Sequence, residues 1–269
     1  MKTAPKTAAD RLSAEKIRLL AGDAAGLKSV EVYRETDSTN LLLRKLAEAG
    51  APEGTLIAAE RQTAGRGRLG RTFCSPDGTG VYFSLLLRPA LSAEAAVGLT
   101  AAAAVAVCRA VEDVTGVRAQ IKWVNDVFAG GRKICGILTE AASDAATGRL
   151  RYAVLGVGIN VYEPDGGFPP ELREIAGALL TERVPDLRNR LIAGVAAAFR
   201  PLYDGLEDGA FLEEYRRRSL VIGREIRVIG ADGERSAVAL GIDDRARLRV
   251  RFADGGERFL SSGEISVRI

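Results

Sequence analysis

The chain has 269 residues, 47% apolar and 27% charged, with 38 Lys plus Arg against 35 Asp plus Glu and a formal charge of +3. That composition excludes a disordered, collagenous or coiled-coil chain, and charges so nearly balanced do not mark a dedicated nucleic-acid binder. There is no histidine, which removes a Ser-His-Asp triad and His-ligated zinc, and the three cysteines, Cys74, Cys108 and Cys135, form no CxxC pair.

Residues 1–9, rich in Lys, Ala and Thr, read as a frayed start without the apolar stretch of a secretion signal. Leu12, Ile17, Leu19 and Leu20 predict a short amphipathic helix from Asp10 to Leu20, ending near Gly22. Asp37 or Ser38 is placed to cap a second helix through Leu41, Leu42, Leu46 and Ala47, stopped by Gly50. Thr55–Glu60 and Gly80–Leu87 read as strands, and Ser92 opens an Ala-rich helix running to about Thr115. Its apolar run, Ala101–Cys108, is too short to span a bilayer.

A β-rich block follows. Gln120–Val124 is one strand; Val127–Ala129 turns through Gly130-Gly131 into Lys133–Glu140 as a hairpin; Leu150–Val161 is a third run. Residues 171–218 read as helical, broken at Pro185 and near Gly209. From Arg224 the period falls to two, with Arg245, Arg247, Arg249 and Arg251 alternating with Ala246, Leu248 and Val250. Turns at Ala231-Asp232-Gly233 and Ala253-Asp254-Gly255 divide this tail into short strands. A unit of about 50 residues is expected to lean on the main domain as a small β-barrel.

Gly65-Arg66-Gly67-Arg68-Leu69-Gly70 fits GxGxxG by letter. A dinucleotide site needs a helix directly after the glycines, and Pro76 and Gly78 break one. No GxxxxGK[ST] is present either, so a P-loop is excluded. What remains is a loop of glycines with Arg66, Arg68 and Arg71. Glycine lets backbone approach a ligand, and guanidinium forks bind phosphate and carboxylate. The loop suits closure over a phosphorylated or acyl-phosphate species; it reads equally as a solvated surface loop or an RGG-like nucleic-acid contact.

A second constellation is Lys122-Trp123-Val124-Asn125-Asp126 followed by Lys133. Two lysines with an Asn-Asp pair suit a magnesium nucleotide, or form an ordinary turn with exposed lysines. Gly156-Val157-Gly158-Ile159-Asn160-Val161 places two glycines inside an apolar strand, marking a bulge, a close ligand approach or simple packing.

The order and spacing of these pieces carry more than each alone. Thr36-Asp37-Ser38-Thr39-Asn40, Gln62 to Arg71, Ser75-Pro76, Lys122 to Asp126, Arg132 to Leu138 and Gly158-Ile159-Asn160-Val161 together resemble the biotin protein ligase family, and Ser262-Gly263-Glu264-Ile265-Ser266 resembles the close of its SH3-like domain. The resemblance covers about residues 30–269. Val124 stands where the family usually has proline, and Phe73 where an aromatic, often Trp, is common.

The resemblance implies an α+β fold: a mixed β-sheet ligase domain with flanking helices, of the class II synthetase or biotin–lipoyl ligase kind, plus a C-terminal SH3-like β-barrel. The expected boundaries are a helical extension at 1–26, the catalytic domain at 27–218 and the small domain at 219–269. Bifunctional members carry a DNA-binding winged helix before the ligase domain; only 35 residues precede Thr36 here, so the expectation is a monofunctional ligase that binds no DNA operator. The implied reaction joins biotin to ATP as biotinyl-5′-AMP, then passes biotin to a lysine of a biotin carboxyl carrier domain. A carboxylate is already ionised at neutral pH, so the first step needs no histidine.

Site residues follow from the same resemblance. Ser38, Thr39, Asn40 and Gln62 are expected around the ureido ring; Arg66, Gly67, Arg68 and Lys133 at the carboxylate and phosphate; Gly136 and Gly158 along the biotin pocket; Arg68, Arg71, Lys122, Asn125 and Asn160 toward ATP; and Asp126 toward Mg²⁺. Lys133 and Arg68 are the expected catalytic groups. Alternatives are a lipoate or octanoate ligase of the same superfamily and a nucleic-acid-binding regulator using Arg216-Arg217-Arg218 and the arginine ladder. A cytoplasmic location and no membrane contact are expected, and homodimerisation through sheet edges stays open.

Overall fold

The computed structural model describes residues 10–92, 96–230, 233–261 and 264–267. The expected frayed start at 1–9, the helix opening at 93–95, the turn residues Ala231-Asp232 and the pair Ser262-Gly263 lie outside the described residues.

The main sheet is built from β1 (Ser29–Thr36), β2 (Thr55–Gln62), β3 (Gly80–Leu87), β4 (Gln120–Lys122), β5 (Asp126–Ala129), β6 (Arg132–Ser143) and β7 (Leu150–Asn160). Their order is β1-β2-β3-β7-β6-β5-β4. The β1–β2 pair is parallel and the other neighbours are antiparallel, giving the expected mixed sheet.

Helices cover both faces, because alternate side chains of a strand point to opposite sides. Leu86, Tyr152 and Val154 pack with Leu43 and Ala47 of α2 (Thr39–Glu48). Their neighbours Leu85, Leu87, Ala153 and Leu155 face the main core with α3 (Ala96–Thr115) and α4 (Leu187–Asp204). The small residues of α3 allow a close crossing: a β-carbon on Gly194 of α4 would lie 3.3 Å from Ala110 Cβ. Double coverage explains why β3 reads as a nearly unbroken apolar run.

Four elements differ from expectation. β1 was not anticipated: it is an edge strand carrying Glu31, Arg34 and Glu35, so its apolar alternation is weak. The first helix, α1 (Ala14–Ala21), starts later than Asp10 because Ser13 caps it, accepting from Lys16 N–H at 3.3 Å. Asp10 and Leu12 instead enter the interior. The strand from Gln120 stops at Lys122, and the Trp123–Val124 peptide is cis. Residues 173–184 are not helical. Their backbone hydrogen-bonds along the sheet, with Lys133 N–H to Ile175 O at 2.8 Å and Leu180 N–H to Val161 O at 2.9 Å. Sheet pairing there overrides the local helical pattern.

The C-terminal sheet is antiparallel, with β8 (Glu225–Gly230), β9 (Gly233–Ile242), β10 (Leu248–Phe252), β11 (Glu257–Leu260) and β12 (Glu264–Val267) in the order β11-β10-β9-β8-β12. Arg249 and Arg251 of the ladder both pair with Glu257, as a solvated strand face does. The unit is fastened to the main domain at specific points. Trp123 Nε1 donates to Ala246 O at 2.9 Å, and Arg216 of α5 (Leu212–Arg218) donates to Ile242 O at 2.8 Å. Among the described residues no helix is long and apolar enough to cross a membrane.

Candidate active site

On the face of the sheet that carries α2, β7 presents Tyr152, Val154, Gly156, Gly158 and Asn160 in turn. The helix covers the first two. Beyond its N-terminus the glycines open a trough, because Gly136 of β6 lies opposite Gly158 and Gly156 opposite Leu138. The trough is part of a cavity of about 620 Å³. Every site residue expected from the sequence borders it: Ser38, Thr39, Asn40, Gln62, Arg66, Gly67, Arg68, Arg71, Lys122, Asn125, Asp126, Lys133, Gly136, Gly158 and Asn160.

The glycines have a packing reason. A β-carbon on Gly156 would collide with Asn40 Oδ1, and one on Gly158 would stand 2.5 Å from the Phe73 ring. The same ring lies 3.1 Å from a β-carbon placed on Gly136. Phe73 therefore seats on two glycines from neighbouring strands, edge-on to Tyr82.

Ser38 is the N-cap residue of α2, but its side chain makes no capping bond and is buried at the cavity wall. Thr39 donates from its backbone N–H to Gln62 Oε1 at 2.9 Å, and its hydroxyl reaches the same oxygen at 3.2 Å. Gln62 Nε2 donates to Ser75 Oγ at 2.9 Å, which donates to Phe73 O at 3.0 Å.

The arginine-glycine segment folds as a small flap. Gly67 N–H meets Arg71 O at 2.7 Å, and Phe73 N–H meets Gly65 O at 2.9 Å. Leu69 at its tip has φ 55° and is 74% exposed, and Gly70 follows with φ 75°. A β-carbon on Gly65 would strike Phe73 O, so the flap's base admits only glycine there.

The flap and the lysine-bearing hairpin meet across the cavity. Arg68 Nη1 donates to Asn125 Oδ1 at 2.9 Å. Asn125 Nδ2 donates to Asp126 Oδ1 and to Ile137 O, each at 3.1 Å. Lys133 Nζ lies 2.7 Å from Asp126 Oδ1. Lys122 Nζ stands 6.0 Å from the Phe128 ring centroid. Asn160 Nδ2 donates to Gly177 O at 3.1 Å, joining β7 to the 173–184 segment, whose Ile175 and Ala176, with Leu172 just before them, also border the cavity. The turn bearing Asn125 is buttressed from behind: Tyr215 Oη donates to Val124 O at 3.0 Å.

Burial disfavours the thiolate form at each of the three cysteines. Burial pushes the Cys108 thiol up to about 12 and holds Cys135 well above its ordinary value. Burial, with the Glu171 carboxylate nearby, also raises Cys74. Among the described residues no three Cys, Asp or Glu side chains gather as a metal site.

The sequence reading missed three contributors. Glu140 on β6 bonds to Arg66 and Asn40; its signal is a carboxylate inside a strand that is largely apolar from Ile134 to Leu138. Phe73 was named only as a departure from family pattern. The third is the stretch from Leu172 to Ala176, which falls inside the 171–218 region whose pattern is helical by sequence.

Residues 32–160 match the biotin/lipoate A/B protein ligase family, and residues 221–268 match the biotin protein ligase C-terminal domain. The fold is thus that of a biotin/lipoate-type protein ligase. The chain is 37% identical over 239 residues to the bifunctional ligase/repressor BirA of Bacillus subtilis, covering 86% of this chain and 72% of that protein. It is 34% identical to the biotin–[acetyl-CoA-carboxylase] ligase of Mycobacterium tuberculosis, covering 85% of each. The biotin protein ligase of Aquifex aeolicus, solved in complex with biotin and ATP, superposes with a TM-score of 0.74 at 27% identity over 90% of this chain and 99% of that one. The chain belongs to the biotin protein ligase family.

Proposed function

We propose that the chain activates biotin with ATP and transfers it to a lysine of a biotin carboxyl carrier domain. The observation that carries this reading is the convergence of Arg68, Asn125, Asp126 and Lys133 at one end of a cavity whose other end is walled by Ser38, Thr39 and Gln62.

In the first step a biotin carboxylate oxygen bonds to the α-phosphorus of ATP, and the bond to the pyrophosphate oxygen breaks. The products are biotinyl-5′-AMP and pyrophosphate. Lys133 and Arg68 neutralise charge on the carboxylate and α-phosphate as it redistributes. Arg71, Lys122, Asn125 and Asn160 hold the nucleotide, so the reacting atoms are brought together rather than chemically activated. Asp126 is the carboxylate at the phosphate end. Mg²⁺ ordinarily takes one or two carboxylates with phosphate oxygens and water, so this donor set fits an ion arriving with the nucleotide, where it supplies further charge neutralisation.

In the second step the acceptor lysine's amine bonds to the acyl carbon, AMP leaves, and the amine gives up a proton. The flap shields the mixed anhydride from water until the acceptor arrives.

Specificity for biotin over lipoate or octanoate rests on the hydroxyl and amide groups at the ring end. Hydroxyl and amide groups complement a ureido ring's N–H and C=O, whereas a dithiolane or alkyl chain leaves them unpaired. We place the reaction in the cytoplasm, where three unpaired cysteines are at home. We assign homodimerisation to the β1 edge, which has no strand on its outer side among the described residues.

Incubation with ATP, Mg²⁺, a carrier domain and either biotin, lipoate or octanoate tests the assignment. Mass spectrometry of the carrier should show one biotin adduct and no lipoyl or octanoyl adduct. Equal or preferential transfer of the other acids would overturn it.

A further inference from the structure

Glu140 does not border the cavity, yet it joins two of the groups that do. Gly136, Leu138 and Glu140 alternate onto one face of β6, the face carrying α2. Glu140 Oε2 accepts from Asn40 Nδ2 at 2.9 Å. Glu140 Oε1 lies 3.2 Å from Arg66 Nη2 and 3.6 Å from Arg44 Nη1. The carboxylate is only 18% exposed, where charge-assisted bonds are less screened than on an open surface.

These contacts use up the Asn40 amide. Its Nδ2 is shared between Glu140 and Leu138 O at 3.3 Å, and its Oδ1 lies 2.6 Å from Ser84 Oγ. Ser84 Oγ lies 2.8 Å from Thr39 Oγ1, and the Thr39 backbone N–H donates to Gln62 Oε1 at 2.9 Å. Gln62 and Ser75 lead on to Phe73 O. The polar chain thus runs from Arg66, at the start of the flap, around the ring end of the cavity to Phe73 at the flap's close. A carboxylate acceptor fixes the side of Asn40 that carries the NH₂, which turns Oδ1 to accept from Ser84 Oγ and so orients the Ser84 and Thr39 hydroxyls; Gln62 is held separately by the Thr39 backbone N–H.

We propose that Glu140 is a positioning residue for biotin: its carboxylate sets the orientation of the Asn40–Ser84–Thr39 network that receives the ureido ring, and anchors the flap through Arg66. The inference rests on the functional reading above. Asn40 then acts chiefly by orienting Thr39 and Ser84. Arg66 acts as the flap's hinge anchor, balanced within the protein by Glu140.

Two variants separate these roles. Glu140→Gln keeps an oxygen for Asn40 but removes the charge facing Arg66; Glu140→Ala removes both. Loss of a bond to a charged group corresponds to about 10- to 100-fold in an equilibrium constant. Biotin binding by titration calorimetry should therefore weaken about 10-fold or more in Glu140→Ala and stay within about threefold in Glu140→Gln. Escape of the adenylate, followed by stopped flow, should quicken in both, and the ATP KM should remain within about threefold of wild type, because the ATP end is fastened separately through Asn125.

Wild-type biotin affinity in Glu140→Ala overturns the proposal. So does an ATP KM rising in step with the biotin constant, since that marks general loosening. Should Glu140→Ala fail to fold, Glu140→Gln decides alone: faster adenylate escape supports the proposal and unchanged escape overturns it. Wild-type protein is the control for the functional reading. If it binds no biotin, that reading fails; if it binds biotin and both variants match it, only the role of Glu140 fails.

Discussion

Arg68 Nη1 and Asn125 Oδ1, 57 residues apart in the chain, lie 2.9 Å from one another across the mouth of the cavity. The bond closes the flap onto the turn between β4 and β5. Removing either partner should loosen the same closure. We expect Arg68→Ala and Asn125→Ala each to quicken adenylate escape in stopped flow, and the double variant to be less impaired than the sum of the two. Additive effects would show that the two groups act independently.

Lys133 is held by Asp126 Oδ1 at 2.7 Å, in a site where Asn125 also bonds to that oxygen. Replacing it with methionine keeps the length of the side chain and deletes the charge. Adenylate formation in single turnover should fall on the order of 10²–10³-fold, as when one preorganised electrostatic group is lost. A loss below about threefold would remove Lys133 from the catalytic set.

Arg188 is 1% exposed and bridges Asp10 Oδ2 at 3.3 Å and Glu60 Oε2 at 2.6 Å. Tyr162 Oη also donates to Asp10 Oδ2 at 2.9 Å. This buried triad ties the segment before α1 to α4 and β2. Arg188→Ala would leave two carboxylates buried without their cation, at a cost of about 3–5 kcal/mol in urea unfolding. A change below about 1 kcal/mol would mean that the residues around the triad relax to solvate it.

Arg218 bonds to both oxygens of Glu112, at 2.7 and 2.8 Å. Those hydrogen bonds hold the Glu112 carboxyl below its ordinary value, against a burial penalty. A carboxyl lowered in the folded state stabilises it above the unfolded value, and that contribution disappears as pH falls through the folded value. Wild type should therefore melt above Glu112→Gln at neutral pH, and the gap should close in acid below the ordinary carboxylate range. A gap that persists in acid would assign the stability to packing.

The sequence made the site more legible than the fold around it. Each motif bordering the cavity is a local string whose residue types have direct chemical meaning, and all fifteen expected site residues reach it. The hairpin through Gly130-Gly131 was equally clear, because both glycines take positive φ, at 55° and 76°. β1 was hidden because an edge strand needs little apolar alternation. The 173–184 stretch was hidden because its structure comes from pairing with Lys133 and Val161, more than 18 residues away in sequence. Glu140 was hidden for another reason: its partners, Asn40 and Arg66, belong to two other elements, and no spacing in the chain announces their meeting.

The central claim is that the flap and the Lys133 hairpin enclose one cavity in which biotin and ATP form a mixed anhydride. Exchange of labelled pyrophosphate into ATP reads that step directly, without an acceptor protein. Exchange should require biotin, be lost in Lys133→Met and persist when the carrier domain is omitted. Exchange that proceeds without biotin, or no exchange in the presence of biotin, ATP and Mg²⁺, would contradict the account.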